Sequence, residues 1–203
     1  MKKAIILFIA MLLIPVLSFP QILANLDYIS SFNDEVAAIK KDGQWAFINK
    51  EGNIVVNFRN DLISTKTNDG NYPVFNNDRC IIVKEKNGIS YFGYIDKTGK
   101  TVIEPKFLNT TNFNDNKAIA LELIKEEVGK NPILDKNIVY HNYFEVTIDL
   151  NGDILNYLNP KGVNVTLDKK FLSNPPTINA KFISKYLVSF KTNDNKFDII
   201  KID

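Results

Sequence analysis

Four acidic side chains of this sequence could support catalysis as carboxylates. Glycoside cleavage uses two carboxylates that flank the scissile bond, one of them acting as the acid. The available ones are Glu35, Asp96, Glu104 and Asp149. The two aspartates fit turn positions and the two glutamates fit strand ends, and no pair of the four shows a spacing specific to that mechanism. We therefore expect no catalytic residue among them.

The single cysteine and the single histidine restrict the remaining chemistry. Zinc sites need several Cys or His ligands, and a Ser/His/Asp or Cys/His set would have to use His141 alone. Because His141 has no second imidazole with which to share a metal, it is interpreted as a surface loop histidine. Cys80 lies in an apolar run and is expected to be a buried, inert thiol.

Two further site motifs are incomplete or missing. Asp149–Asp153 resembles a calcium-binding loop, yet it lacks the Asp-x-Asn-x-Asp-Gly order and the later glutamate. The glycines are scattered singly, so the sequence contains no glycine-rich phosphate loop. The sequence therefore predicts no catalytic, cofactor-binding or metal site, and a protein that is not an enzyme.

The composition is that of a folded domain. The 203 residues are 45% hydrophobic and 24% charged, which excludes a disordered chain and allows one domain with a real core. Residues 1–24 contain two lysines and no acidic residue, so the remaining chain has as many basic as acidic side chains. A neutral chain without a basic block lacks the charge pattern of a nucleic-acid-binding protein, and pairs such as Lys169–Lys170 are interpreted as solvated surface.

Residues 1–24 have the features of a secretory signal peptide. Two lysines precede an uncharged apolar run from Ala4 to Leu17, and small residues suited to cleavage follow it. Pro15 and Pro20 interrupt the apolar stretch, which is too short for a membrane-spanning helix; a retained anchor helix is the alternative. We expect residues 25–203 to form a single β-repeat domain that is secreted, periplasmic or at the cell envelope, with no stable membrane span.

The remaining chain contains internal repeats. Three stretches, residues 32–60, 75–107 and 113–157, each open with a Phe-Asn pair and later reach an Asx-x-x-Gly turn. A fourth, degenerate copy at residues 182–203 would consist of Tyr186–Phe190 followed by Phe197–Asp203. This copy is expected to stop where its turn should begin.

The glycine turns predict β-hairpins. A leading Asx side chain can bond the backbone two residues on, and the glycine supplies the left-handed conformation of a bulge. The flanking segments are rich in β-branched and aromatic residues, as strands are. Only Leu121–Val128 could form a helical turn, or else a loop. We therefore expect an all-β fold of stacked antiparallel β-hairpin repeats, solenoid-like or an incomplete propeller or barrel, after an N-terminal signal helix.

Two of the repeats resemble a known family. Gly43–Gly52 reads Gly-x-Trp-Ala-Phe-Ile-Asn-x-x-Gly, and Phe92–Phe107 reads Phe-Gly-Tyr-Ile-Asp-x-x-Gly-x-x-Val-Ile-x-Pro-x-Phe. These segments are similar to the WG repeat family, whose units carry Trp-Gly-Tyr-Ile-Asp before a glycine turn and then Val-Ile-x-Pro-x-Tyr or Phe. The signature positions are Trp45, Ala46, Phe47, Gly52, Phe92, Gly93, Tyr94, Asp96, Gly99, Pro105, Asp149 and Gly152.

The copies depart from the family pattern at identifiable positions. The first copy has Ala46 where glycine is usual and lacks the proline, and the second has Phe92 in the tryptophan place. The third copy has Glu145-Val146 in place of the Trp-Gly pair. The resemblance implies a bacterial, often exported, β-repeat protein without a family-wide enzymatic activity.

The repeated rings have two interpretations. Alternate residues of a strand face opposite ways, so Trp45 and Phe47 share one face and Phe92 and Tyr94 share the matching face of the next copy. Because stacked repeats must bury such faces against each other, the favoured interpretation is that the rings form the core. The alternative is an exposed platform on which sugar rings stack.

The expected function is that of an exported, non-enzymatic interaction or structural module at the cell envelope. Its partner would be a protein or an envelope polysaccharide, and no nucleic acid, metal or cofactor is expected. The alternative is a carbohydrate-binding or carbohydrate-cleaving protein. Leu121–Tyr143 and Ile63–Tyr72 are predicted as long loops on which a partner would bind, or else as loops tolerated at the surface.

Overall fold

All regular structure in the described part of the chain is β-strand. The computed structural model describes residues 23–131, 135–159, 161–192 and 194–202, so the predicted signal peptide lies outside it except for its last two residues. The strands are β1 (Tyr28–Ile29), β2 (Ala37–Lys41), β3 (Gln44–Ile48), β4 (Ile54–Arg59), β5 (Thr65–Lys66), β6 (Asn71–Tyr72), β7 (Cys80–Lys86), β8 (Ile89–Ile95), β9 (Thr101–Phe107), β10 (Ala118–Asn131), β11 (Lys136–Ile148), β12 (Ile154–Tyr157), β13 (Val163–Asn164), β14 (Ala180–Ser184), β15 (Leu187–Lys191) and β16 (Phe197–Lys201).

The described strands form four larger sheets of one design. Each is an antiparallel meander whose consecutive strands are neighbours: β1–β2–β3–β4, β7–β8–β9, β10–β11–β12 and β14–β15–β16. We call these the first to fourth sheets. Strand β13 adds to β11, and β5 and β6 form a separate two-stranded pair. None of these sheets closes into a barrel, so the predicted antiparallel hairpins are confirmed as parts of open meanders.

One turn recurs before the last strand of every sheet. In the first three sheets it ends in a glycine with a left-handed backbone, with φ of 80°, 81° and 82° at Gly52, Gly99 and Gly152. The N–H of each glycine donates to the carbonyl of the Asx residue three positions earlier, at 2.9 to 3.0 Å. The strand pairing shifts register next to each turn, which is the predicted bulge.

The fourth sheet contains this turn as well, so the expectation that the chain stops before it is wrong. Asn195 takes the glycine place with φ of 62°, and its N–H donates to the carbonyl of Thr192 at 3.0 Å. Asparagine tolerates the left-handed region, which is why the turn forms without glycine. Strand β15 is therefore the middle strand of the fourth unit and not its first, and β14 supplies the missing strand.

Neighbouring sheets pack face to face with the repeated rings between them. Phe47 and Val56 of the first sheet pack against Cys80, Ile82 and Ile95 of the second. The second interface repeats this arrangement one unit later and contains Phe92, Tyr94, Ile103 and Phe107 of the second sheet with Ala118, Ala120, Val146 and Ile148 of the third. The stacking is thus carried by equivalent positions, as repeat architecture requires.

The fourth sheet is turned over relative to the others. Val188 holds in this sheet the position, relative to the turn, that Trp45 holds in the first, yet it packs back onto Ile119 of the third sheet. The opposite face of the fourth sheet carries Phe197 and Ile199, both exposed. The fourth unit therefore caps the described stack instead of continuing it.

The third sheet has the longest strands, and this corrects a prediction. Strands β10 and β11 pair from Ala118 opposite Ile148 out to Asn131 opposite Lys136. Leu121–Val128 is therefore strand, neither a helical turn nor a loop, and the described residues of Leu121–Tyr143 form the outer part of a long hairpin. Along β10 its side chains change from buried at Leu121 to exposed at residues 125–130, so exposure increases along the hairpin. We call its described outer residues, 125–131 and 135–140, the projecting ribbon.

Ile63–Tyr72 is also more ordered than the predicted loop. Strands β5 and β6 pair within it, with Thr65 opposite Tyr72. The hydroxyl of Tyr72 donates to the Asp69 carboxylate at 2.6 Å, and that of Thr67 does so at 2.7 Å. These hydrogen bonds, that from Tyr72 first, lower the pKa of Asp69 to about 2.

Candidate functional site

Three of the four predicted signature rings lie in the core. Phe47 is 1% exposed, Phe92 7% and Tyr94 0%. Trp45 is half-buried, and its ring meets that of Tyr28 edge-on with centroids 5.7 Å apart. These rings hold neighbouring sheets together and are not available as a platform for sugar rings.

The Tyr94 hydroxyl is satisfied inside the core. It is within hydrogen-bond distance of the Thr110 hydroxyl and donates to the carbonyl of Thr111 at 2.7 Å. Burial, opposed by the Thr110 hydrogen bond, raises the pKa of Tyr94. Tyr94 is therefore a neutral structural side chain that ties the second sheet to the segment leading into the third.

The small residue next to each ring has a packing role. A Cβ added to Gly93 would overlap the carbonyl oxygen of Ile103 and lie 2.7 Å from the nitrogen of Pro105. Strand β9 thus crosses β8 so closely that only glycine fits there. The first sheet accommodates Ala46, which is fully buried, at the equivalent place.

The two signature aspartates are occupied in turns. Asp96 accepts hydrogen bonds from the N–H groups of Thr98 at 2.9 Å and Lys100 at 3.1 Å. Desolvation opposes them, but these bonds and that of the Thr98 hydroxyl lower the pKa of Asp96. Asp149 accepts from the N–H groups of Asn151 and Asp153, both at 2.9 Å. Both aspartates act as turn formers.

The residue in the tryptophan place of the third copy has an unexpected role. Glu145 is 1% exposed, and its carboxylate accepts hydrogen bonds from the backbone N–H groups of Asn179 at 3.0 and 3.1 Å and Ala180 at 2.8 Å. The Asn179 side chain donates a further one at 3.1 Å. Glu145 thus clamps the start of the fourth sheet onto the third, and the sequence showed it only as a lost ring.

A groove of about 440 Å³ opens beside the second sheet. Its base is formed by Tyr91 and Pro105, both half-buried, and Lys84 stands directly opposite Tyr91 on the neighbouring strand. We call it the lysine groove. Its lining residues are Lys84, Glu85, Lys86, Tyr91, Pro105 and Lys106. Sequence reasoning missed it because Tyr91, Pro105 and Lys106 join Lys84 and Lys86 only through the pairing of three strands.

Two segments of the sequence match one family model. The model for the WG containing repeat matches residues 22–45 and residues 92–122. The chain carries WG repeats. No curated protein and no solved structure matches it.

The WG repeat of the family model is offset from the sheets of the structure. The second match starts in β8 of the second sheet and ends in β10 of the third. It therefore contains the junction between two sheets, including the Tyr94 to Thr111 hydrogen bond. The second match thus spans the junction between the second and third sheets, whereas the first match ends in β3 of the first sheet.

The remaining predicted site residues do not come together with the WG signature. Cys80 is a free, buried thiol in the first interface, and burial raises its pKa. His141 is half-buried in β11 and not in a loop, and Glu104 is exposed on β9. Glu35 lies 3.5 Å from the ammonium of Lys50 in an exposed ion pair. These residues supply no shared site.

The described residues hold no group of three or more His, Cys, Asp or Glu side chains that could bind a metal ion. Within the same ranges, no helix is long and apolar enough to cross a membrane.

Proposed function

We propose that this WG-repeat protein is an exported, non-enzymatic interaction module at the cell envelope. The observation that carries the proposal is that the repeated rings are buried between sheets, whereas other side chains are exposed on a long hairpin. The repeated rings are used to join the sheets, while the third sheet extends two strands beyond the stack as the projecting ribbon. A scaffold with a rigid core and a protruding hairpin is suited to binding a partner.

The projecting ribbon has the composition of a contact surface. Val128, Ile138 and Tyr140 are exposed on it. Ion pairs also lie on it, with Lys125 3.0 Å from Glu127. Apolar side chains presented among charges are typical of a polar-rimmed protein interface.

Export is tested by the N-terminus of the protein isolated from its cells. N-terminal sequencing of the protein from the envelope or medium should show a chain that begins after Ser18 or Ala24. Recovery of the full chain from the cytosol would contradict export.

The interaction role is tested by shortening the ribbon. Replacing residues 128–138 by Asn-Gly keeps Glu127 opposite Val139 and closes the hairpin with a tight turn. The variant should fold, with unchanged Trp45 fluorescence, and should lose chemical crosslinks to envelope proteins. Phe197→Ser, which removes an exposed ring elsewhere, is the control. Equal crosslinking by the wild type, the shortened variant and Phe197→Ser would refute a contact role for the ribbon.

Carbohydrate binding stays a second proposal, but on a different surface from the predicted rings. The lysine groove supports it, because an aromatic ring and charged hydrogen-bonding groups converge there.

A further inference from the structure

We infer that the lysine groove binds an anionic polysaccharide. This inference rests on the proposed envelope location, where such a polymer would meet the protein.

The groove concentrates positive charge in a chain that is otherwise balanced. Lys84 and Lys86 are exposed and form no ion pair with any residue of the described ranges. Lys106 also lines the groove, and its ammonium donates a hydrogen bond of 3.3 Å to the carbonyl of Gly152 in the third sheet. Ammonium groups act as point charges that attract carboxylates and phosphates.

A lysine from a distant part of the sequence extends this positive surface. A Cβ added to Gly88, in the turn between β7 and β8, would lie 2.6 Å from Cδ of Lys169. The stem of Lys169 therefore runs across the turn next to Lys86. Lysines that the sequence presents as isolated residues and pairs meet at one end of the second sheet, facing a single acidic lining residue, Glu85.

The base of the groove is formed by the rings of two side chains, Tyr91 and Pro105. The Tyr91 side chain packs on the small core of Ile89, Leu108 and Leu172, which fixes its position, and Pro105 lies beside it in the lining. A sugar ring has a C–H face that can rest on such rings, while its hydroxyls bond carboxylate and phenol groups. Tyr91 and Glu85 supply those groups here. An anionic sugar would meet both the rings and the lysines, whereas a neutral one would leave the lysines unpaired.

The strand edge at the groove disfavours an acidic peptide as the occupant. Strand β9 is one of the two outer strands of its sheet, β7 being the other, and a peptide that bound at β9 would add a further strand there. Pro105 has no backbone N–H to donate, so it interrupts the hydrogen bonds of an added strand. On its β9 side, the lining therefore favours side-chain recognition of a glycan over backbone recognition of a peptide.

The test measures binding of polygalacturonate to the purified protein by calorimetry. Lys84→Ala combined with Lys86→Ala should weaken binding about 10-fold, as expected for losing two exposed charge contacts. Lys125→Ala with Lys130→Ala removes the same amount of charge from the projecting ribbon, away from the groove. This control pair should change the affinity less than 2-fold, because exposed charges outside a binding site contribute little. Equal weakening by both pairs would show non-specific charge attraction and overturn the inference.

Tyr91→Leu separates ring recognition from charge. Leucine keeps the apolar contact with Ile89 and Leu172, so a thermal melt should show a folded protein, and polygalacturonate should bind about 10-fold more weakly, as for loss of one stacked ring. Unchanged affinity in a folded Tyr91→Leu variant would overturn the inference.

Three polymers complete the test. Polygalacturonate should bind, dextran should not, and poly-L-glutamate should bind more weakly than polygalacturonate. Equal binding of poly-L-glutamate would assign the groove to acidic peptides, and absence of polygalacturonate binding would also overturn the inference. Neither result affects the N-terminal sequencing or the ribbon crosslinking, so a failure of this inference is distinguishable from a failure of the proposed function.

Discussion

The buried carboxylate of Glu145 holds the fourth sheet onto the third, so replacing it should loosen the end of the repeat stack. In Glu145→Gln one acceptor oxygen becomes an NH2 group that faces a backbone N–H. The backbone donors of Asn179 and Ala180 then share a single oxygen where they now have two. A hydrogen bond to a charged group contributes about 1.5–3 kcal/mol, and a buried donor left unpaired costs about 1–3 kcal/mol. We expect a loss of about 2 kcal/mol in the free energy of unfolding.

The loss should be localised to the fourth sheet. Hydrogen exchange of the Ala180 and Val188 amides should accelerate, because both lie in the sheet that Glu145 holds in place. Fluorescence of Trp45, the only tryptophan, reports the first sheet and should not change in native buffer. Urea denaturation followed by circular dichroism gives the total change in stability.

The control is a less buried carboxylate of the same sheet, on the neighbouring strand β10. Glu122 accepts one exposed hydrogen bond, from the Tyr157 hydroxyl at 2.7 Å. Glu122→Gln should cost less than about 0.5 kcal/mol, as surface changes usually do. If Glu145→Gln costs no more than Glu122→Gln, or if exchange in the fourth sheet matches that of the wild type, the clamp is refuted.

Three further predictions address the core, the turns and the loop. Tyr94→Phe removes a buried hydroxyl that has two hydrogen-bond partners. It should lower the free energy of unfolding, measured by urea denaturation, by about 1–3 kcal/mol. A change near zero would contradict the assignment of Tyr94 to the core. Gly152→Ala should destabilise more than Gly43→Ala, because both have positive φ but only at Gly152 would the added Cβ meet a side chain within 3 Å; equal thermal midpoints would oppose this. The pKa of Asp69 in the folded protein is lowered to about 2. The stability that this carboxylate contributes should therefore be complete above its unfolded-state pKa, near 4, and be lost as the pH falls through about 2. An NMR titration of this carboxyl with a midpoint near 4 would contradict the hydrogen bonds.

Local features of the fold were predictable because short-range chemistry decides them. An Asx residue followed three positions later by glycine forms the same turn at Gly52, Gly99 and Gly152, as predicted. The core interpretation of Phe47 and Tyr94 is also confirmed, because rings repeated in register must be buried between sheets. The fourth turn was missed because Thr192 and Asn195 perform the same roles with different side chains.

Features that depend on distant parts of the chain were not predictable. The clamp at Glu145 needs donors more than 30 residues later, and the lysine groove needs β9 to lie beside β8. The residues of Leu121–Val128 alone do not distinguish a strand of a long hairpin from a loop, because the strand that pairs with them is β11.

The sequence by itself determined that this protein is a β-repeat chain with glycine turns and buried rings. Turn residues and alternating side chains act through backbone conformation within a few positions, so they can be read from neighbours in the chain. Only the tertiary structure decided that the fourth sheet is turned over, that Glu145 replaces a ring with a clamp, and that separate lysines share a groove. These outcomes follow from which faces meet, and that choice depends on contacts between residues far apart in sequence.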